Sequence, residues 1–327
     1  MPKISIVVPF LNEEENITEM YDRLKVTLEA MNAPFEFIFV DDGSTDGTFP
    51  LLEEIATIDS RVIVIKLRRN FGKTAALAAG FERATGDFVI AMDGDLQHDP
   101  ADIPRFIGRL EDGYDVVCGW RQHRSDSFWL RRLPSKIANV VLATLSGVKI
   151  HDFAAGFKAY RRELINQIPL YGEMQGFIPL LSATYGARIC EVPVNTARRP
   201  HGKSHYGLGR TIPAAFDLIT ICFLHRYVMR PLHFFGTWGF MSIFAGSVIG
   251  LWLVVQKLVF GTEIMTAHAP LWIFCAVLVV FGGEMLAIGL LGEMQVRHYH
   301  EPPARPPYTI EKVLRTEESE QPSLPDS

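Results

Sequence analysis

Two stretches constrain this chain more than any others. Residues 232–255, LHFFGTWGFMSIFAGSVIGLWLVV, run for twenty-four positions without a formal charge. Residues 271–291, LWIFCAVLVVFGGEMLAIGLL, carry Glu284 as their one charged group. About twenty apolar residues cross a bilayer as a helix, so both are expected to span a membrane as a hairpin. Two such helices on one short connector are hard to hide inside a domain of this size. Arg226 and Arg230 precede the first span, Arg297 and Arg305 follow the second, and Lys257 and Glu263 lie near or in the connector. The excess of positive flanks puts the N-terminal part and the tail in the cytoplasm, with the connector outside. The expectation is a two-span protein of the inner (plasma) membrane. The opening MPKISIVVPF has no separate apolar core or small-residue cleavage site, so no signal peptide is expected. Glu284 is expensive in lipid and should face a helix partner or snorkel. Gly246, Gly250, Gly282, Gly283 and Gly289 suit close packing, within the hairpin or in a homo-oligomer.

Outside the spans, short apolar runs alternate with helical patterns. ISIVVPF (4–10), FEFIFV (35–40), VIVIKL (62–67), FVIAM (88–92) and DVVCGW (115–120) read as buried strands. Helical spacing fills the gaps between the first four, which implies a mostly parallel α/β sheet with helices on both faces. Ligands in such sheets bind beyond the carboxyl ends of the strands. Three strands end there in polar turns: PFLNEEEN, DDGSTDGT and DGDLQHDP. The second is also a good turn and helix N-cap, and both roles can hold together. An Asp-Gly-Asp behind a buried strand can hold Mg²⁺ or Mn²⁺ through carboxylate oxygens, leaving open positions for phosphate oxygens.

Two basic amphipathic patterns, 128–147 and 212–230, are expected to lie in a membrane interface. From Glu301 onward, six prolines and many charges predict a largely disordered tail. Cys118, Cys190, Cys222 and Cys275 show no paired spacing and fit reduced thiols. A net charge of -5 argues against a nucleic-acid partner.

VVPFLNEEENI, VDDGSTDGT, NFGKTAALAAGFERATGDFVIAMDGDLQHDP and DFAAGFKAYRR together resemble the inverting, metal-dependent glycosyltransferases of GT-A fold. Within these the chain is similar to the polyprenyl-phosphate glycosyltransferases, from about Lys3 to Met294. The resemblance implies a Rossmann-like GT-A domain over 1–210, an interface helix over 211–231, a transmembrane hairpin over 232–292 and a cytoplasmic tail over 293–327. It also implies transfer of a sugar, glucose from UDP being favoured, to polyprenyl (undecaprenyl) phosphate at the lipid bilayer. Pro9, Leu11 and Glu13 match the loop lining the nucleotide pocket. Asp41 and Asp42 match the acids that recognise base and ribose, and Lys73 lies where the family places a basic donor contact. Asp93, Asp95 and Gln97 match the DxDxQ metal and diphosphate motif. Arg121 matches an arginine at the phosphates, with Arg131 or Arg132 near a second. Asp152 matches the aspartate near the acceptor.

Residues 196–210, TARRPHGKSHYGLGR, hold six basic or imidazole side chains and no acid. They suit a solvated loop or a juxtamembrane segment drawn to anionic lipid. By resemblance they form a mobile element closing over donor and lipid phosphate, with Arg199, Lys203, Ser204 and Tyr206 in it. Gln175 and Gly176 stand where relatives often carry a His-Arg pair. A processive polysaccharide synthase remains an alternative, although no QxxRW motif occurs. A non-catalytic nucleotide-sugar-binding scaffold is the other.

Overall fold

The computed structural model describes residues 2–121, 150–153, 155–170, 172, 174–197, 231–261, 268–299 and 307–315. The interface helices expected at 128–147 and 212–230 lie outside these. The chain forms two compact units, Met1–Ile221 with Pro306–Ser327, and Cys222–Arg305.

The first unit is a Rossmann-like sheet of GT-A type. In chain order its elements are β1 (Ile4–Phe10), α1 (Ile17–Ala30), β2 (Phe35–Asp41), α2 (Thr48–Ile58), β3 (Val62–Leu67) and α3 (Lys73–Arg83). There follow β4 (Phe88–Ala91), α4 (Ile103–Glu111), β5 (Val116–Arg121), β6 (Lys158–Arg161), α5 (Arg162–Ile165), α6 (Ile178–Thr184) and β7 (Ile189–Val194). Beyond the hairpin comes β8 (Ile310–Arg315). The strand order is β7-β5-β6-β4-β1-β2-β3-β8.

Strands β1 to β4 are largely apolar because helices cover both faces, so they read as near-continuous runs rather than alternations, with Ser5, Glu36 and Lys66 as the polar interruptions before their ends. β1 pairs in parallel with β2 and β4, and β2 with β3. β6 runs against both β4 and β5, which leaves those two pointing the same way. The carboxyl ends of β1, β2, β4 and β5 therefore share one edge of the sheet. Phe10, Phe37, Phe39, Phe106 and Phe157 are buried in the core. Phe106 of α4 stacks on Phe157 at 4.2 Å, a contact of about 1 kcal/mol beyond area burial. That stack fixes the loop entering β6, on which half of the site depends.

The tail departs from expectation. Within the stretch expected to be disordered, β8 pairs antiparallel with β3, from Ile63 opposite Arg315 to Leu67 opposite Ile310. Two ion pairs flank it, Lys66 with Glu311 and Lys312 with Glu53. Its sequence IEKVLR is short and charged because it forms a sheet edge, where backbone pairing supplies the hold and no apolar pattern is needed.

The second unit is a helical hairpin, α7 (Pro231–Phe260) and α8 (Ala269–Tyr299). Leu232–Phe260 and Ala269–Gly292 are long and apolar enough to cross a membrane, with mean hydropathy 1.9 and 2.3. Most of their apolar surface is exposed, unlike that of helices in a water-soluble core. The helices touch through glycine: a Cβ on Gly239 would stand 2.8 Å from the Gly282 carbonyl oxygen, and one on Gly282 2.6 Å from that of Gly239. Ser242 Oγ donates to the Leu278 carbonyl at 2.8 Å across the same seam. Gly283 borders open space and Glu284 is exposed, so neither faces the partner helix of the hairpin.

Candidate active site

The loops after β1 and β2 are sewn together over the common edge. Asn12 N donates to Ser44 Oγ at 3.0 Å, Thr45 N to Asn12 Oδ1 at 2.8 Å, and Glu13 N to Thr48 Oγ1 at 2.9 Å. Pro9 sits opposite Val40, and Leu11 and Glu13 follow it, partly exposed, on the rim. Asp41 and Asp42 are both buried, and burial pushes both carboxyls up. Their tasks differ. Asp42 accepts from Phe71 N at 2.8 Å and Gly72 N at 3.0 Å, which ties loop 68–72 to the sheet. Asp41 accepts from Ser44 N at 3.1 Å through Oδ1, while its Oδ2 has no hydrogen-bond partner among the described residues. An unsatisfied buried oxygen is costly, and a ligand N–H or O–H would relieve it.

Behind β4, Asp93 and Asp95 enter a turn in which the next residue, Leu96, takes a φ of 57°, sparsely populated for a leucine. Asp95 Oδ1 accepts from Gln97 N at 3.1 Å and holds that turn. Lys73, the first residue of α3, pairs with Asp93. Burial raises the Asp93 carboxyl, but Lys73, His98 and Arg121 outweigh it and hold the group below its ordinary value. A Cβ at Gly156 would stand 2.2 Å from Asp93 Oδ2, so only glycine leaves this carboxylate its room. His98 is buried beside Phe157 and kept toward its neutral form by burial. Thr196 bridges to His98, and Ala197 N donates to the Gln97 carbonyl at 2.9 Å. The basic segment thus begins against the Asp-Gly-Asp turn. Arg131, Arg132, Arg199, Lys203, Ser204 and Tyr206 lie outside the described residues.

On the other flank, Arg121 ends β5 and meets Asp152 in a bidentate pair, Nε to Oδ2 at 2.7 Å and Nη2 to Oδ1 at 3.0 Å. Glu191 of β7 grips the backbone before that carboxylate, accepting from His151 N at 2.7 Å and Asp152 N at 3.0 Å. Lys158 is almost wholly buried, and Nζ donates to the carbonyls of Phe153 at 2.9 Å and Gln175 at 3.0 Å. Burial pulls its pKa down to about 8. Thr74 Oγ1 donates to Gln175 Oε1 at 2.7 Å, so a polar chain runs from the start of α3 to the loop bearing Asp152.

The family model described as glycosyl transferase family 2 matches residues 5–168. This chain belongs to that family. Its relatives include the dodecaprenyl-phosphate galacturonate synthase of Rhizobium johnstonii, 37% identical over 95% of this chain and 93% of that protein. The undecaprenyl-phosphate 4-deoxy-4-formamido-L-arabinose transferase of Pseudomonas paraeruginosa is 38% identical over 98% and 93%. Both are polyprenyl-phosphate glycosyltransferases, and so is the group to which this chain belongs. Among solved structures, glucosyl-3-phosphoglycerate synthase of Mycobacterium tuberculosis with Mn²⁺ and UDP-glucose matches with a TM-score of 0.52. It is 25% identical, over 68% of this chain and 79% of that one.

For a family 2 glycosyltransferase the donor set suits a hard cation. Asp93 and Asp95 offer carboxylate oxygens, and the Lys73 ammonium already stands as a positive charge against Asp93. Among the described residues, no three Asp, Glu, His or Cys side chains gather in metal-ligand fashion. Sequence reasoning missed Lys158, Glu191 and Thr74. A lysine within the apolar run GFKAY was a visible signal for the first, because a strand there must bury it.

Proposed function

We propose that this family 2 glycosyltransferase moves a sugar from a uridine diphosphate donor to the phosphate of a polyprenyl lipid, with inversion at the anomeric carbon. The observation carrying this reading is the gathering of Asp41, Asp93, Asp95, Arg121 and Asp152 at one sheet edge by strands from four parts of the chain. The open Asp41 Oδ2 suits an N–H of the base or a ribose hydroxyl. Asp42 acts one step back, through the loop it holds.

Asp93 and Asp95, with Gln97 beside them, would hold Mg²⁺ or Mn²⁺, which when bound offsets charge on the departing diphosphate. Arg121 adds a fixed guanidinium on the same side. A lipid phosphate is already anionic at neutral pH and needs no strong base. Asp152, with both oxygens on Arg121, orients that guanidinium rather than abstracting a proton. The sugar is the open variable. Glucose is the expectation from resemblance, whereas the relatives above are named for galacturonate and an aminoarabinose derivative.

The enzyme would sit in the inner membrane by its hairpin, with the catalytic unit in the cytoplasm. The chain precedes the hairpin in the catalytic unit and returns to that unit after it as β8, which supports a two-span topology with both ends on one side. The test is turnover of UDP-glucose, UDP-galacturonate and a UDP-arabinose derivative on undecaprenyl phosphate with Mn²⁺. Asp95→Ala and excess chelator should each lower turnover by about a hundredfold or more. Full turnover under chelation would overturn the proposal, and UDP binding without turnover of any donor would leave a scaffold instead.

A further inference from the structure

The tail strand does more than cover an edge. Just before Ile310, the Thr309 carbonyl accepts from Arg68 N at 3.1 Å, the first residue after β3. One residue earlier, Tyr308 is buried and donates its hydroxyl to Glu82, in the last turn of α3. Arg68 opens loop 68–72 and Glu82 lies at the far end of α3, the helix that leaves it, so adjacent tail residues hold the start of this loop and anchor the helix that follows it. The loop is the one whose Phe71 and Gly72 amides Asp42 grips, and it delivers Lys73 to Asp93. Its own side chains from Arg68 to Asn70 are exposed and add little packing. A segment with so few buried contacts opens locally unless it is braced from outside.

We propose that residues 308–315 belong to the donor-binding machinery: a strand from the far end of the chain that holds loop 68–72 in the form that receives a nucleoside diphosphate. The inference rests on reading the Asp41–Asp42 edge as the donor site. Tyr308 and Thr309 are positioning residues, since they act through the loop and touch no donor themselves. A strand that only shielded the edge of β3 would affect stability and leave donor affinity alone.

The experiment uses the full chain, a chain ending at Pro307, Tyr308→Phe, and Arg23→Ala as a control that removes an exposed ion pair to Glu19 on α1. UDP with Mn²⁺ is titrated into each by calorimetry, and donor KM and kcat are measured separately. The shortened chain should bind UDP about tenfold more weakly, and Tyr308→Phe about fivefold, with kcat at saturating donor within about twofold of the parent. Arg23→Ala should match the parent, and a peptide of residues 307–315 should restore affinity to the shortened chain. If the shortened chain does not fold, Tyr308→Phe decides. Parental UDP affinity in a folded variant would overturn the proposal. A parent that binds no UDP would instead refute the donor reading, and this inference with it.

Discussion

Lys158 lends itself to a quantitative test. Its ammonium lies beneath the site with two carbonyls as hydrogen-bond partners, and Asp93, Asp152, Lys73 and Cys118 are the charged or titratable groups that act on it. The folded pKa of about 8 against an ordinary 10.5 disfavours the buried charge by roughly 3 kcal/mol. Between those values the unfolded chain holds a proton that the folded one has lost, so stability rises with pH through this window. From pH 8 to 9 the gain is about 1 kcal/mol. Cys118 and Cys190, held up at about 12 and 11 by burial, act in the opposite direction near pH 9 and above. Loss of the Lys158 charge raises Cys118 further, so between pH 8 and 9 both thiols stay protonated in folded parent and variant alike and cancel in the difference. Lys158→Met abolishes the titration and relieves the buried charge, but it leaves two carbonyls without their donor, at about 1–3 kcal/mol each. At pH 7 the two effects nearly offset, and stability should change by less than about 2 kcal/mol. Thermal unfolding of the catalytic unit, in the detergent-solubilised full chain, provides the assay. Parent minus variant Tm should grow by about 2–4 °C between pH 8 and 9. A flat difference would show that Lys158 is not the buried, weakened base described above.

Asp42→Ala frees the Phe71 and Gly72 amides, so donor KM should rise about tenfold while kcat holds, read from initial rates at varied UDP-sugar. Arg121→Ala strands the buried Asp152 carboxylate and should destabilise the catalytic unit by about 3–5 kcal/mol in urea titration. The double variant Arg121→Ala, Asp152→Asn should recover much of that stability without recovering turnover.

The architecture was legible where sequence is local. Short apolar runs located β1 to β5, three of them ended by polar turns, and the helices between β1 and β4 made their parallel pairing the natural inference. Asp41, Asp42, Asp93 and Asp95 were visible as well, because they end or follow buried strands, whereas Asp152 was expected by resemblance alone. What escaped depends on meetings between distant parts of the chain. Asp41 and Asp42 are neighbours of one type, and only amides 29 and 30 positions away separate their tasks. Arg121 and Asp152 were each expected at the site, but their pairing spans 31 positions and turns two separate roles into one. β8 escaped for a further reason: composition marks the tail as disordered, and the hydrogen-bonding partner that overrides composition lies at the other end of the chain.

The placement of β8 also bears on how the enzyme is made. Glu311 reaches Lys66 across 245 positions, and both apolar helices are translated in between. During that interval β3 presents a bare row of amides and carbonyls, the kind of ladder that recruits strands from other nascent proteins. Residues translated only after the whole hairpin are therefore the ones that close it.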